Sequence, residues 1–211
     1  MIRITALAVI LAASFPAFAS EQAKAKVDLA KAKEIAEGVC VACHGADGNS
    51  PVAANPILAG QGQEYLYKQL SNFKAADGKP AVRNSAVMAG MVAALSDEDM
   101  RSLAAYFSQQ KIKPAGAKDE KLLAEGQTLW RKGDFNKQIP ACAGCHGPAG
   151  AGLPAQYPRL AGQYSDYTAT QLKSFRSHER TNDAELMMRT IAGKLSDRQI
   201  SAVAEYAAGL R

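Results

Sequence analysis

The chain repeats itself. "CVACHG", Cys40 to Gly45, returns as "CAGCHG", Cys142 to Gly147, 102 residues later. "PILAGQ" (Pro56 to Gln61) recurs as "PRLAGQ" (Pro158 to Gln163), and Tyr65, Gln69, Leu70 and Phe73 reappear as Tyr167, Gln171, Leu172 and Phe175. "LSDEDM" (Leu95 to Met100) comes back as "LSDRQI" (Leu195 to Ile200), now displaced by 100, so a net two residues are lost between Phe175 and Leu195. A match sustained along the chain marks two homologous units in tandem. Each must fold in the same way, and any chemistry written into one is written into both.

The flanks set the boundaries. Met1 to Arg3 is a short basic start, Ile4 to Phe15 is apolar and uncharged, and Ala17-Phe18-Ala19 is a small-x-small cleavage signal, so residues 1–19 read as an export signal. The apolar run is shorter than the roughly 20 residues that span a bilayer. "KIKPAGAK", Lys111 to Lys118, reads as a linker. The expected domains are therefore 20–113 and 114–211. Units of this size are small for a self-sufficient core, a shortage that a buried prosthetic group would relieve. The precursor has 25 basic and 20 acidic side chains; losing Arg3 leaves 24 against 20, a net +4. That charge is too weak and dispersed for a nucleic-acid partner.

Local patterns are helical. Alanine is abundant and β-branched residues are sparse, which favours helix over sheet. Ser96 with Asp99, and Ser196 with Gln199, form capping-box patterns. Behind them Met100, Leu103, Ala104 and Phe107, and likewise Ile200, Val203, Ala204 and Ala207, follow i, i+3, i+4, i+7 spacing. A middle helix is expected at Glu64 to Ala75, with its counterpart at Asp166 to Ser177; a first helix runs up to Cys40, and one starts near Asp119. Between Cys43 and the middle helix, Gly45, Gly48, Pro51, Pro56, Gly60 and Gly62 predict a long irregular loop, which normally needs something to wrap.

Four cysteines in an exported chain would ordinarily suggest two disulfides. Disulfides leave the histidine after each second cysteine unexplained. A redox dithiol has no use for that histidine, and zinc would need two more ligands per unit where His178 is the only other histidine. Covalent haem attachment accounts for Cys40, Cys43 and His44, and for Cys142, Cys145 and His146, at once: two thiols about a helical turn apart can add to the two vinyl groups of one porphyrin, and the adjacent imidazole then lies under the iron.

With "CVACHGADGNS" beside "CAGCHGPAGAG", the duplicated P-x-L-A-G-Q, the duplicated M-x6-L-S-D and the "RTND" before the second methionine, the chain resembles the dihaem cytochrome c4 family over essentially all of its mature length. The resemblance implies an all-α protein of two class I cytochrome c domains, each wrapped around one haem c. It also points to the carbonyls of Pro56 and Pro158 as acceptors for His44 and His146, and to Tyr106 and Tyr206 as contacts between first and last helices. Trp130, four residues after Gly126, is expected to pack between those helices in the second unit. The stretch Leu129 to Gln138 has no partner in the first unit.

A thioether is the usual sixth ligand in such carriers, because soft sulfur favours Fe(II) and raises the potential. Met88 stands seven residues before Leu95 and Met188 seven before Leu195, and no other methionine has a methionine partner in that register, so these two are the expected ligands. Met91, Met100 and Met187 read as flexible core fillers. His178, among Arg176, Ser177, Glu179 and Arg180, reads as a solvated surface histidine.

Iron closed on both faces leaves outer-sphere electron transfer. The expectation is a periplasmic electron carrier, not an enzyme, that takes electrons from a quinol-oxidising complex and gives them to a terminal oxidase or another periplasmic acceptor; a loose association with the membrane is compatible with that role. The alternatives are a cytochrome subunit of a dehydrogenase, such as a sulfide-oxidising flavocytochrome, and a dihaem peroxidase, which would need an open iron.

Overall fold

The computed structural model describes residues 27–76, 78–154 and 156–211; the expected export signal, 1–19, lies outside them. The protein is all-α, two halves of repeated helix order, and among the described residues β-structure is limited to isolated bridges.

In the first half, α1 (Leu29–Ile35) runs through a π-helical turn (Ala36–Cys40) directly into α2 (Val41–His44). Asp28 caps its start by accepting from the Lys31 amide. The helices α3 (Gln63–Phe73), α4 (Ala86–Val92) and α5 (Asp97–Ser108) follow. In the second half, a 3-10 turn at Glu120–Leu122 leads into α6 (Leu123–Lys132), and α7 (Ala143–His146), α8 (Ser165–Arg176), α9 (Met187–Gly193) and α10 (Asp197–Gly209) complete the repeat. The middle helices fall where the spacing predicts, to within about two residues, the ordinary uncertainty of helix ends. Both capping boxes close: the Ser96 and Ser196 hydroxyls accept from the amides of Asp99 and Gln199, whose side chains accept from the Ser96 and Ser196 amides in return.

First and last helices cross in each half. Ala32 and Ala36 on the first helix are fully buried against Leu103, Ala104 and Phe107 of α5. In the second half Gly126 makes the crossing tight, since a methyl group there would lie 2.1 Å from the Ala202 carbonyl oxygen. Trp130 is fully buried beside that crossing, against Val203, Ala207 and Tyr206, with its Nε1 donating to the Pro148 carbonyl. Tyr106 packs against the first-half crossing and also donates its hydroxyl to the Ala46 carbonyl, tying α5 to the loop that follows α2.

The loops after α2 and α7 hold no helix until Gln63 and Ser165, and each is folded on itself in the same way. The Gly48 carbonyl accepts from the Leu58 and Ala59 amides, and the Gly150 carbonyl from Leu160 and Ala161. The unmatched stretch of the second half is a hairpin-like turn: Asp134 and Ile139 exchange backbone hydrogen bonds, and Phe135 at its tip is 95% exposed. Residues 111–118 have no regular structure but are fastened down, with Lys113 paired to Asp47, the Ala115 amide bound to the Gly162 carbonyl and the Lys118 amide bound to Glu205. No helix among the described residues is long and apolar enough to cross a membrane.

Candidate functional site

The ends of α2 and α7 present the two Cys-x-x-Cys-His motifs. The four cysteines form no disulfide. Among the described residues no three of His, Cys, Asp and Glu converge as in a zinc site. Burial pushes the Cys40 thiol up and the Cys142 thiol up to about 11, so neither is a poised thiolate of the redox-dithiol kind.

His44 and His146 are both buried, and burial lowers the pKa of each despite an opposing hydrogen bond. Nδ1 of His44 lies 3.0 Å from the Pro56 carbonyl oxygen, and Nδ1 of His146 lies 3.0 Å from that of Pro158. A carbonyl can only accept, so Nδ1 carries the proton in each ring. Nε2 is then the free lone pair, the arrangement of a metal-ligating imidazole held by a backbone acceptor.

Both motifs open on one largely apolar cavity of ≈ 880 Å³. Cys40, Cys43 and His44 line it with Met88; Cys142, Cys145 and His146 line it with Met188. Met91 and Met187 also face it. Met91 is not the core filler expected from the sequence, being 47% exposed, whereas Met100 is buried in the core. His178 is exposed, at φ 62°.

The two methionine-bearing helices start differently. Ser85 caps α4 by accepting from the Met88 amide itself. Before α9 stand two consecutive left-handed residues, Glu185 (φ 50°) and Leu186 (φ 57°), an uncommon conformation for a bulky side chain. A largely buried ion pair spans this strained turn: Arg189 Nε donates to Asp183 at 2.7 Å, and the Arg189 amide binds the same carboxylate. Burial would raise the Asp183 pKa, but the hydrogen bonds from Arg189 outweigh it and hold the carboxyl below its usual value.

One part of the site is not evident in the sequence. Arg180, close to the exposed His178, is buried, and so is Arg83. Arg83 lies over the Phe73 ring and donates to Gln69, Tyr167 and Gln171; Arg180 lies over Phe175 and donates to Gln171, Tyr65, Gln69 and Asn182. The pattern is reciprocal between the halves. Among the described residues no carboxylate pairs with either guanidinium, though both line the cavity. A buried cation normally has an anionic partner. Burial opposes ionisation of Tyr65, yet Arg180 and Arg83 outweigh it and hold the phenol below its ordinary pKa. The Tyr65 and Tyr167 hydroxyls, also on the cavity wall, accept from these arginines.

The residues therefore fit haem c on four counts: paired thiols, a neutral buried imidazole with a fixed tautomer, thioethers on the same cavity, and buried cations that lack the carboxylates a porphyrin's propionates would supply. Arg83 and Arg180 were hidden in the sequence because they lie 97 residues apart, outside both repeat displacements. Their common position between a Phe of the middle helix and the methionine was the available signal.

The family model for cytochrome c matches residues 29–111 and again 123–210. The chain is 46% identical to "Cytochrome c4" of Pseudomonas aeruginosa over 183 residues, 86% of this chain and 88% of that one. It is 42% identical to "Thiosulfate dehydrogenase electron acceptor" of Thiomonas intermedia over 172 residues, covering 80% and 77%. Among solved structures, reduced recombinant cytochrome c4 from Pseudomonas stutzeri superposes with a TM-score of 0.82 at 42% identity, covering 88% of this chain and 100% of that one.

Proposed function

We propose, for a chain that belongs to the cytochrome c family and within it to the dihaem cytochromes c4, a specific role as a periplasmic shuttle. It carries two covalently bound haems c and transfers electrons. In this reading the first domain is 20–113 and the second 114–211, exported by the signal at 1–19. Donors are a quinol-oxidising complex, and acceptors a terminal oxidase or another periplasmic redox protein.

Bound haem supplies a one-electron Fe(II)/Fe(III) couple; the side chains decide how it is used. Cys40 and Cys43, with Cys142 and Cys145, fix the porphyrins. His44 and His146, held by Pro56 and Pro158, would offer Nε2 to the iron. Met88 and Met188, on the same cavity, would supply thioethers that close the metal to small oxidants and bias it toward Fe(II). Arg83 and Arg180, with Tyr65 and Tyr167, would receive the carboxylates of the group. The observation that supports this reading is the cavity lined by both motifs, by Met88 and Met188 and by the two buried arginines.

A second reading has its own support. The Thiomonas intermedia relative is named for accepting electrons from a thiosulfate dehydrogenase, so a periplasmic dehydrogenase is an alternative donor here. Stopped-flow reduction of the oxidised holoprotein decides between them. Fast reduction by a membrane fraction with quinol, abolished by an inhibitor of quinol oxidation, supports the first. Reduction only by a soluble dehydrogenase and its substrate supports the second. Rapid carbon monoxide binding to the native reduced protein at neutral pH would overturn both, because it requires an open iron.

A further inference from the structure

The peptide group joining Pro56 to Ile57 is engaged at both ends. Its carbonyl accepts from His44 Nδ1, 3.0 Å away. Its N–H donates to Oε1 of Gln163, a residue of the opposite half, at 2.9 Å. Gln163 completes a bracket by donating Nε2 to the Ile57 carbonyl at 2.9 Å. The second half mirrors this in every bond. The Pro158 carbonyl accepts from His146 at 3.0 Å, the N–H of the same peptide group, on Arg159, donates to Gln61 Oε1 at 2.8 Å, and Gln61 Nε2 donates to the Arg159 carbonyl at 2.9 Å. Both glutamines are buried.

A peptide group polarises as a unit. An acceptor drawing on the N–H makes the carbonyl of the same group a stronger acceptor, and in a low-dielectric interior such chains reinforce one another. A stronger carbonyl pulls harder on the imidazole Nδ1–H, which makes Nε2 more basic. A more basic axial ligand stabilises Fe(III) relative to Fe(II). We propose that the two halves tune one another's iron crosswise: Gln163 sets the basicity of His44, and Gln61 that of His146, each acting as a positioning residue through one peptide group. The inference rests on the reading that these histidines are axial ligands. It gives the glutamine of the duplicated P-x-L-A-G-Q motif a task beyond joining two surfaces. It also makes each potential a property of the assembled pair of domains.

The bland alternative is that the brackets only hold the halves together. That role predicts lost stability without a directed change in potential. Gln163→Met and Gln61→Met, made in the full-length holoprotein, keep most of the side-chain volume and remove the bracket. In spectroelectrochemical titration Gln163→Met should raise the potential of the first-half haem alone, and Gln61→Met that of the second-half haem alone. The expected size is about a three- to tenfold change in the oxidised-to-reduced ratio at fixed potential, roughly 30–60 mV at 59 mV per decade. A Met88→His background, in which the first-half couple is displaced, tells the two haems apart. In the reduced protein the His44 Nδ1 proton resonance should move upfield in Gln163→Met and stay put in Gln61→Met. If methionine disturbs the joint, Gln163→Glu keeps an acceptor against the Ile57 N–H and must not raise the first-half potential. Equal shifts of both couples, a shift in the glutamine's own half, or native spectra with no shift would each overturn the crosswise effect. Loss of haem or of the low-spin spectrum in a His44 or His146 variant would not be expected if those residues are not ligands, so an intact spectrum there would instead overturn the underlying ligand assignment.

Discussion

Single residues carry the chemistry, and the repeat makes several of them readable. Cys40, His44 and their counterparts are legible because attachment demands a fixed spacing. Met88 and Met188 are singled out because they alone keep a constant offset from the helix that follows, as a repeated ligand would. The structure puts both on the cavity wall, but Met91 and Met187 line it as well, so the choice among them belongs to experiment. Replacing Met88 by His should lower the potential of one haem by on the order of 100 mV or more, because a nitrogen donor stabilises Fe(III) where thioether favours Fe(II). Met91→Leu should leave the sulfur-to-iron absorption of the oxidised protein intact. If Met91→Leu removes that band, Met91 is the ligand. Arg180 shows what register cannot reveal. It is charged and sits among polar neighbours, so nothing local distinguishes it from the exposed Arg131; only the fold brings Tyr65 and Gln69 of the other half over it.

At the scale of elements, local signals served well wherever the backbone itself states the rule. The capping boxes fix the starts of α5 and α10 because a side chain and an amide three residues apart satisfy each other. The π-turn before Cys40, the hairpin at Asp134–Ile139 and the left-handed pair before Met187 were not legible, since each depends on how the chain must reach an attachment point rather than on propensity. The two boxes also differ in a testable way, Asp99 against Gln199. The Lys31 side chain at 2.6 Å, together with Ser96, holds the Asp99 carboxyl down to about 2. An unfolded aspartate titrates near 3.9, so the folded state favours the ionised form: the contribution is complete above about pH 5 and fades as the pH falls from about 4 to about 2. Asp99→Asn should therefore cost about 1 kcal/mol at pH 7, with the difference from the parent protein shrinking through that acid window. Ser196→Ala should cost a similar amount across that range, because the Ser196 hydroxyl serves only the Gln199 amide, whereas Gln199 itself also binds Asp134 and Lys137. Urea midpoints measured from pH 7 to pH 3 check both, and a constant Asp99→Asn difference across that range would show that ionisation of Asp99 contributes nothing.

The whole molecule is organised around its joint. Two guanidiniums from opposite halves are buried among glutamines, tyrosines and phenylalanines, and among the described residues no carboxylate pairs with either. An isolated buried charge costs several kcal/mol, so the joint is built to be completed by anions that the chain does not encode, and haem propionates are the carboxylates at hand. This is why the interface was illegible in the sequence: half of its electrostatics belongs to the cofactor, and Gln61, Gln69, Gln163 and Gln171 pass for ordinary polar loop and helix residues. The arrangement predicts an effect opposite in sign to that of the glutamine brackets, and different in reach. Each arginine bonds to residues of both halves, so its positive charge would be expected to oppose oxidation of either iron. Arg83→Met keeps an apolar stem over Phe73 and deletes the charge. Both potentials should then fall, by on the order of tens of millivolts for a partly screened charge, and they should fall together. Spectroelectrochemistry of Arg83→Met, Arg180→Met and the double variant gives the measurement. A fall confined to one couple would mean that each arginine serves its own haem and that the joint, though shared in its hydrogen bonds, is not shared in its field.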